Sequence, residues 1–112
     1  MAAFLQALEQ LDSALDDTLK MVEAMKVRSA ALRDAHAKGL PLREIVPSEE
    51  TPLLVQLLTR ATGLLQFYGN RVRRTEASAL HSDGMTMDEI ASLFGVSRQR
   101  VSALLRSRPS DD

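Results

Sequence analysis

The chain has 112 residues, of which 45% are hydrophobic and only 4% aromatic, and its net charge at pH 7 is −1. This length fits one small domain, or a compact core with an arm. The absence of cysteine excludes disulfides, thiolate metal sites and cysteine nucleophiles. Because Leu, Ala, Val and Met dominate the apolar residues and none of the stretches alternates convincingly, the sequence predicts an all-α fold.

The N-terminal region does not resemble a signal peptide, because Asp12, Asp16 and Asp17 interrupt its apolar pattern early. No apolar run approaches the roughly 20 residues that a membrane-spanning helix needs. We therefore expect a cytoplasmic protein that has no membrane partner.

Charge is distributed unevenly along the chain. Residues 1–50 contain nine acidic and six basic residues, whereas residues 71–108 contain seven arginines and four acidic residues, an excess of three positive charges. A basic segment on a nearly neutral protein hints at a nucleic-acid surface. Arginine on a helix most often belongs only to a solvated face. The charge alone therefore does not decide between a nucleic-acid surface and a solvated helix face.

Residues 1–37 predict one long helix, since they contain no Gly or Pro and are rich in good helix formers. Two apolar rows with heptad spacing, interrupted by Thr18, Ser29 and His36, are typical of a coiled-coil helix packed lengthwise on another helix. A straight helix of this length would be on the order of 50 Å long, so we expect a homodimer, parallel or antiparallel, or a long hairpin. The residues predicted at the dimer interface are Phe4, Leu8, Leu11, Leu15, Val22, Met25 and Leu32.

Residues 38–51 predict a connecting loop, because Pro41 prevents continuation of the first helix. Ser48 or Thr51 can cap the next helix, with Pro52 in its first turn.

Helical spacing of apolar residues then resumes and predicts a second long helix over roughly 49–82, antiparallel to the first. Gly63 and Gly69 weaken this pattern. They predict either a close approach of another helix or a break near residues 69–70.

The stretch MTMDEIASLFGVSRQRVSALLR, residues 85–106, contains two short amphipathic segments joined by a tight turn. Thr86 followed by Glu89 is a capping box, which predicts the start of a helix. Gly95 supplies the backbone freedom for the turn, and Ser97 can cap the second helix. Because neither helix would be stable alone at this length, the two must bury one shared apolar corner, which is the helix-turn-helix pattern.

This stretch resembles the helix-turn-helix of bacterial transcription regulators, and its run GVSRQRV is similar to the promoter-reading C-terminal domain of sigma factors. The resemblance covers about 22 residues, or about 35 if residues 71–82 supply a supporting third helix. The positions that match are Ala91, Gly95, Val96, Val101 and Leu104.

The resemblance implies a sequence-specific transcriptional regulator at the nucleoid, with double-stranded DNA as its partner. In such motifs the second helix, here residues 97–106, lies in the major groove with its N-terminal residues at base edges. Arginine can bridge guanine O6 and N7, and glutamine can pair with adenine. Arg71, Arg73 and Arg74 are weaker candidates, for which a solvated helix face is an equally good interpretation. The residues predicted to contact DNA are Thr86, Ser97, Arg98, Gln99, Arg100, Ser102, Ala103 and Arg106.

The predicted domains are a helical hairpin with a dimerisation role over residues 1–82, a helix-turn-helix region over 83–108 and a frayed tail over 109–112. Two other functions stay open, namely a low-specificity nucleoid-associated protein and a helical interaction module that docks on the transcription machinery. The sequence contains neither a phosphate-binding glycine loop nor a nucleophile–base set, and its two histidines are isolated. We therefore expect no enzyme activity, no cofactor and no metal.

Overall fold

The computed structural model describes residues 1–106, and within that range the chain is all-α, as predicted. Two long helices are followed by a C-terminal helix-turn-helix. No helix in this range combines the length and the apolar character that crossing a membrane requires. The predicted frayed tail lies outside the described residues. The helices are α1 (Ala2–Ala37), α2 (Leu42–Ile45), α3 (Leu54–Ser82), α4 (Met87–Phe94) and α5 (Arg98–Arg106), with a 3₁₀ turn at Val46–Ser48.

The chain forms two compact units. The first, called here the helix-turn-helix unit, comprises Met1–Ser13 and residues 66–106. The second, called the hairpin unit, comprises Ala14–Leu65. Both α1 and α3 continue from one unit into the other, so each unit contains a part of α1 and a part of α3.

In the hairpin unit the two long helices run antiparallel. Arg28 of α1 donates to the backbone carbonyls of Glu50 and Pro52, at 2.6 Å each, just before α3 begins. Earlier on α1, Val22 lines a groove together with Leu58 of α3. Residues late in α1 therefore lie beside the start of α3, and earlier residues of α1 lie beside later residues of α3.

The most buried positions of α1 hold small or polar residues rather than large apolar ones. Ala7, Ala14 and Thr18 have exposed fractions of 1%, 3% and 8%. Thr18 is accommodated because its hydroxyl donates to the carbonyl of Ala14 one turn earlier, at 2.7 Å. The interruption that Thr18 makes in the apolar row is thus a buried side chain whose hydrogen bond is satisfied.

The residues predicted at the dimer interface divide into two rows on α1. One row is half-buried within the chain and consists of Phe4, Leu11, Met25 and Leu32. The other row is exposed and consists of Leu8, Leu15 and Val22, with exposed fractions of 36%, 39% and 40%. A single helix partner covers only one narrow stripe of α1, so one row is covered within the chain and the other is left open.

The start of α3 differs from the prediction. Pro52 precedes the helix instead of occupying its first turn, because α3 begins at Leu54. The Leu54 amide donates to the carboxylate of Glu49 at 3.0 Å, while the Ser48 hydroxyl donates back to the carbonyl three residues earlier. Glu49 therefore satisfies the first helical amide, and the predicted capping by Ser48 or Thr51 is wrong.

The helix α3 runs without interruption, so the predicted break near residues 69–70 is wrong. A side-chain atom added at Gly63 would meet nothing within 4 Å. One added at Gly69 would lie nearest to the guanidinium of Arg73 on the same helix, at 3.5 Å. Neither glycine marks the close approach of another helix.

Candidate nucleic-acid interface

Helices α3, α4 and α5 share one apolar core in the helix-turn-helix unit. Ala77 of α3, Ile90 of α4 and Val101 of α5 are all 0% exposed, and Ala91 and Leu104 complete the cluster. Since α4 has eight residues and α5 nine, neither helix would be stable alone. The orientation of α5 is therefore set by this core.

The turn between α4 and α5 has the geometry that the sequence predicts. Gly95 adopts φ 69° and ψ 34°, in the left-handed region that glycine enters without steric cost. The Val96 amide donates to the carbonyl of Ala91 at 3.0 Å and ends α4. The Ser97 hydroxyl oxygen accepts the amide of Arg100 at 3.0 Å and caps α5.

One side of α5 is buried and the other is polar. Val101 and Leu104 are buried, and the helical period of 3.6 residues places Gln99 on the opposite side, between Arg98 and Arg100. The polar side carries three arginines and no acidic residue, so it can offer donors to phosphates and base edges. The predicted contact residues on and before this helix divide into exposed Ser97, Arg98, Gln99, Arg100 and Arg106, and half-buried Ser102 and Ala103.

Arg98 contacts an acidic residue that sequence reasoning missed. Its guanidinium lies 3.6 Å from the carboxylate of Asp88 in the first turn of α4, and the two side chains are 66% and 73% exposed. An exposed ion pair contributes at most about 1 kcal/mol, so Arg98 can exchange this carboxylate for a phosphate at little cost. The acidic residue is visible in the sequence, but only the crossing of α4 and α5 pairs it with Arg98.

We expect Asp88→Asn to tighten DNA binding several-fold and to steepen its salt dependence. The substitution removes a negative charge beside the polar side of α5 and frees Arg98 for phosphate. Fluorescence anisotropy over a salt series measures both quantities. The matched control is Asp34→Asn, which breaks an exposed ion pair of 2.9 Å between Asp34 in the last turn of α1 and Lys38 just after that helix. Unchanged affinity and salt slope in Asp88→Asn would contradict the placement of α5 against DNA.

Thr86 is engaged in the capping box of α4. Its amide donates to the carboxylate of Glu89, and its hydroxyl oxygen accepts the Glu89 amide, both at 3.1 Å. Hydrogen bonding to Thr86, through the backbone amide first and the side chain second, holds the pKa of Glu89 below its usual value. Asp88 and Glu89 also place two carboxylates in this first turn. The contact of Thr86 with a phosphate stays a prediction, and it has to overcome this negative charge.

We expect Thr86→Ala to lower the free energy of unfolding by about 1 kcal/mol at neutral pH, because an amide of α4 loses its acceptor. The contribution of Glu89 is complete above the usual pKa of glutamate and is lost as the pH falls through its lowered folded-state pKa. Thr86→Ala keeps the backbone amide that donates to Glu89, so Glu89→Gln tests the pH dependence. The cost of Glu89→Gln, measured by urea unfolding, should become smaller as the pH falls through the lowered pKa of Glu89. Thr62→Ala, which alters an exposed threonine inside α3, is the control. A cost of Glu89→Gln that does not change with pH would contradict the role of Glu89.

Three of the four arginines of α3, namely Arg71, Arg73 and Arg74, make contacts within the chain. Arg71 donates to the side-chain oxygen of Gln6 on α1 at 3.4 Å, and Arg73 donates to that of Asn70 at 2.9 Å. Arg74 is half-buried. These contacts fit an intramolecular role for the three arginines.

A groove beside the turn contains further residues that sequence reasoning missed. It has a volume of about 400 Å³, and α4, the turn, α5 and Arg73 and Glu76 of α3 line it. Two of its apolar residues are well exposed, Leu93 at 61% and Val96 at 39%. The exposure of Leu93 could have been predicted from the sequence, because Leu93 falls outside the inward-facing positions of α4.

Within residues 1–106, no group of three or more His, Cys, Asp or Glu residues is placed to hold a metal ion. Comparison with known proteins adds no assignment to this site. No protein-family model matches the chain, and neither a curated protein nor a solved structure matches it.

Proposed function

We propose that this protein is a sequence-specific DNA-binding transcriptional regulator that places residues 97–106 in the major groove. The observation that carries the proposal is the exposed Arg98-Gln99-Arg100 on a helix whose other side is buried at Val101 and Leu104. The major groove is about 12 Å wide and admits one α-helix. Since the apolar side of α5 is already packed on α3 and α4, the helix can enter the groove without losing its core contacts.

The polar side of α5 offers two kinds of contact. Gln99, at its centre, can both donate and accept, which suits N6 and N7 of adenine. Arg98 and Arg100 can each bridge guanine O6 and N7 or bind a phosphate. Arg106 lies two turns along the helix from Gln99, and we assign it to the phosphate backbone.

The proposal includes a homodimer. Two copies of α5 would then read half-sites about one DNA turn apart, or a multiple of that distance. Because bacterial regulators of this kind act on the chromosome, the proposed location is the cytoplasm at the nucleoid.

The test is to incubate the purified protein with sheared genomic DNA at about 150 mM salt and to sequence what it retains. Weak non-specific binding is strongly suppressed at that ionic strength. A two-fold symmetric motif is the expected result. Broad retention without a motif would favour the low-specificity nucleoid protein instead.

A second candidate function is a protein-interaction module that docks on the transcription machinery. The observation that favours it is the groove beside the turn, where Leu93 and Val96 are exposed. Exposed apolar side chains around a groove are typical of protein contacts, whereas arginine and glutamine of α5 form a poor apolar contact. No DNA retention, together with a protein partner that stays bound after nuclease treatment and is lost in Leu93→Glu, would establish this alternative.

A further inference from the structure

The segment between α1 and α3, residues 38–53, forms a pocket against the last turns of α1. This pocket, called here the connection pocket, has a volume of about 420 Å³ and lies wholly within the hairpin unit. Sites for small molecules are typically clefts of about 300–1,000 Å³ with mainly apolar walls and a few polar groups. The apolar lining of the connection pocket consists of Val27, Ala31, Leu32, Ala35 and Ile45.

The charged side chains of the connection pocket lie together. Arg28 lies 4.0 Å from the carboxylate of Glu49 and 3.8 Å from that of Glu50. The lining therefore contains one guanidinium and two carboxylates, which leave a net negative charge. A molecule with one positive charge complements that charge.

The carboxylate of Glu49 has room for a further donor. Its side chain is only 7% exposed. One oxygen, Oε1, accepts the Leu54 amide at 3.0 Å and is also the atom that lies near Arg28. Within residues 1–106, no group of the protein donates a hydrogen bond to the other oxygen, Oε2. Because a buried carboxylate is costly unless it is paired and hydrogen-bonded, an ammonium group in the pocket would find a strong acceptor.

The guanidinium of Arg28 does not make the pocket a site for anions. Its Nη1 donates to the backbone carbonyls of Glu50 and Pro52, at 2.6 Å each, in addition to its contacts with the two carboxylates. An anion would have to compete with these acceptors and would be repelled by both carboxylates. A neutral apolar molecule would fill the pocket but would bring no donor for Glu49.

We propose that the connection pocket binds a small organic ammonium ion, whose apolar body lies along Ala31 and Leu32 and whose N–H groups donate to Glu49. The lining of α1 runs from Val27 to Ala35, which is about 12 Å at 1.5 Å per residue and leaves space for a short alkyl or aryl body. This ligand site is additional to the proposed DNA contacts of α5. The inference rests on the hairpin unit alone.

Titration of the full chain with hexylammonium, hexanol and hexanoate tests the proposal, because the three probes share one alkyl chain and differ in charge. Amide chemical shifts of the residues that line the pocket report binding by NMR. Hexylammonium should bind about tenfold more tightly than hexanol, the gain expected for a hydrogen bond to a charged acceptor. Hexanoate should bind most weakly of the three.

Two substitutions test the location of the site. Glu49→Gln keeps an oxygen for the Leu54 amide but removes the charge, so it should abolish the preference for hexylammonium over hexanol. Its matched control is Glu44→Gln, an exposed carboxylate of the same segment outside the lining. Ala31→Leu should fill the pocket and weaken the binding of all three probes. Its control is Ala30→Leu, the same change one residue earlier on α1 and outside the lining.

Several results would overturn the proposal. They are no binding of any probe, equal or tighter binding of hexanol or hexanoate, and a preference for hexylammonium that persists in Glu49→Gln. Binding that Ala31→Leu leaves unchanged would place the probe elsewhere. Circular dichroism checks the helix content of each variant, and if Glu49→Gln loses helix, the three probes on the wild-type protein and Ala31→Leu still decide. DNA retention is measured separately, so failure of the ligand site and failure of the proposed function are distinguishable.

Discussion

Ile90→Ala should lower the free energy of unfolding of the helix-turn-helix unit by about 2–5 kcal/mol, the range for large-to-small changes in a packed core. Ile90 is fully buried among Ala77, Val101 and Leu104, and the small neighbour Ala77 cannot fill the space that the lost methyl groups leave. Hydrogen exchange of the α4 and α5 amides measures the local loss, and urea unfolding followed by circular dichroism measures the total.

The control for this prediction is Leu93→Ala, three residues later on the same helix and 61% exposed. Because Leu93 makes little core contact, we expect Leu93→Ala to change the free energy of unfolding of the protein by no more than about 0.5 kcal/mol. Equal effects of the two substitutions would contradict the description of the shared core. Since that core orients α5, Ile90→Ala should also weaken DNA binding, whereas Leu93→Ala should not.

Gln99→Ala should relax sequence preference at one base pair, with a loss of discrimination of about 1–3 kcal/mol. The reason is the position of Gln99 at the centre of the polar side of α5, opposite the buried Val101. Glutamine is neutral and releases no counterion on binding, so the salt slope should hardly change. Competition binding with single base-pair variants of the best site, at two salt concentrations, measures both quantities.

The comparison variant for this experiment is Arg106→Ala. Replacing an arginine that contacts a phosphate should weaken binding to all sequences alike and reduce the salt slope by about 1. The two substitutions thus separate base reading from backbone attraction on the same helix. If Gln99→Ala leaves binding to the best site unchanged, the assignment of Gln99 to a base is wrong.

The proposed dimer and the proposed DNA contacts make different demands on the chain. Val22, one of the exposed residues predicted at the dimer interface, would lie between the two copies. The polar side of α5 would read the bases. A variant that is monomeric but keeps α5 intact, such as Val22→Glu, should therefore bind a half-site normally and lose the gain from two linked half-sites.

Much of the local structure was predictable from sequence because it depends on residues close together in the chain. The capping box of Thr86 and Glu89 needs only a spacing of three residues, and the structure contains both of its hydrogen bonds. Gly95 marks the turn for an equally local reason, since its backbone conformation disfavours a side chain. The long helix α1 follows from 36 residues without Gly or Pro.

Contacts between distant parts of the chain were not predictable in the same way. The pairing of Asp88 with Arg98 depends on how α4 crosses α5. The start of α3 depends on Glu49, which accepts the Leu54 amide and lies 4.0 Å from Arg28 of α1. Sequence spacing alone favoured Ser48 or Thr51 as the cap, because those residue types commonly cap helices.

The sequence by itself determined the helical class, the two long helices and the turn before α5, because periodicity, capping and glycine conformation act within a few residues. The two apolar rows of α1 are equivalent at that level, since both have heptad spacing. Only the tertiary structure decided that the row with Leu11 is half-buried and the row with Leu15 is exposed. The physical reason is that α3 can cover one stripe of α1 and no more.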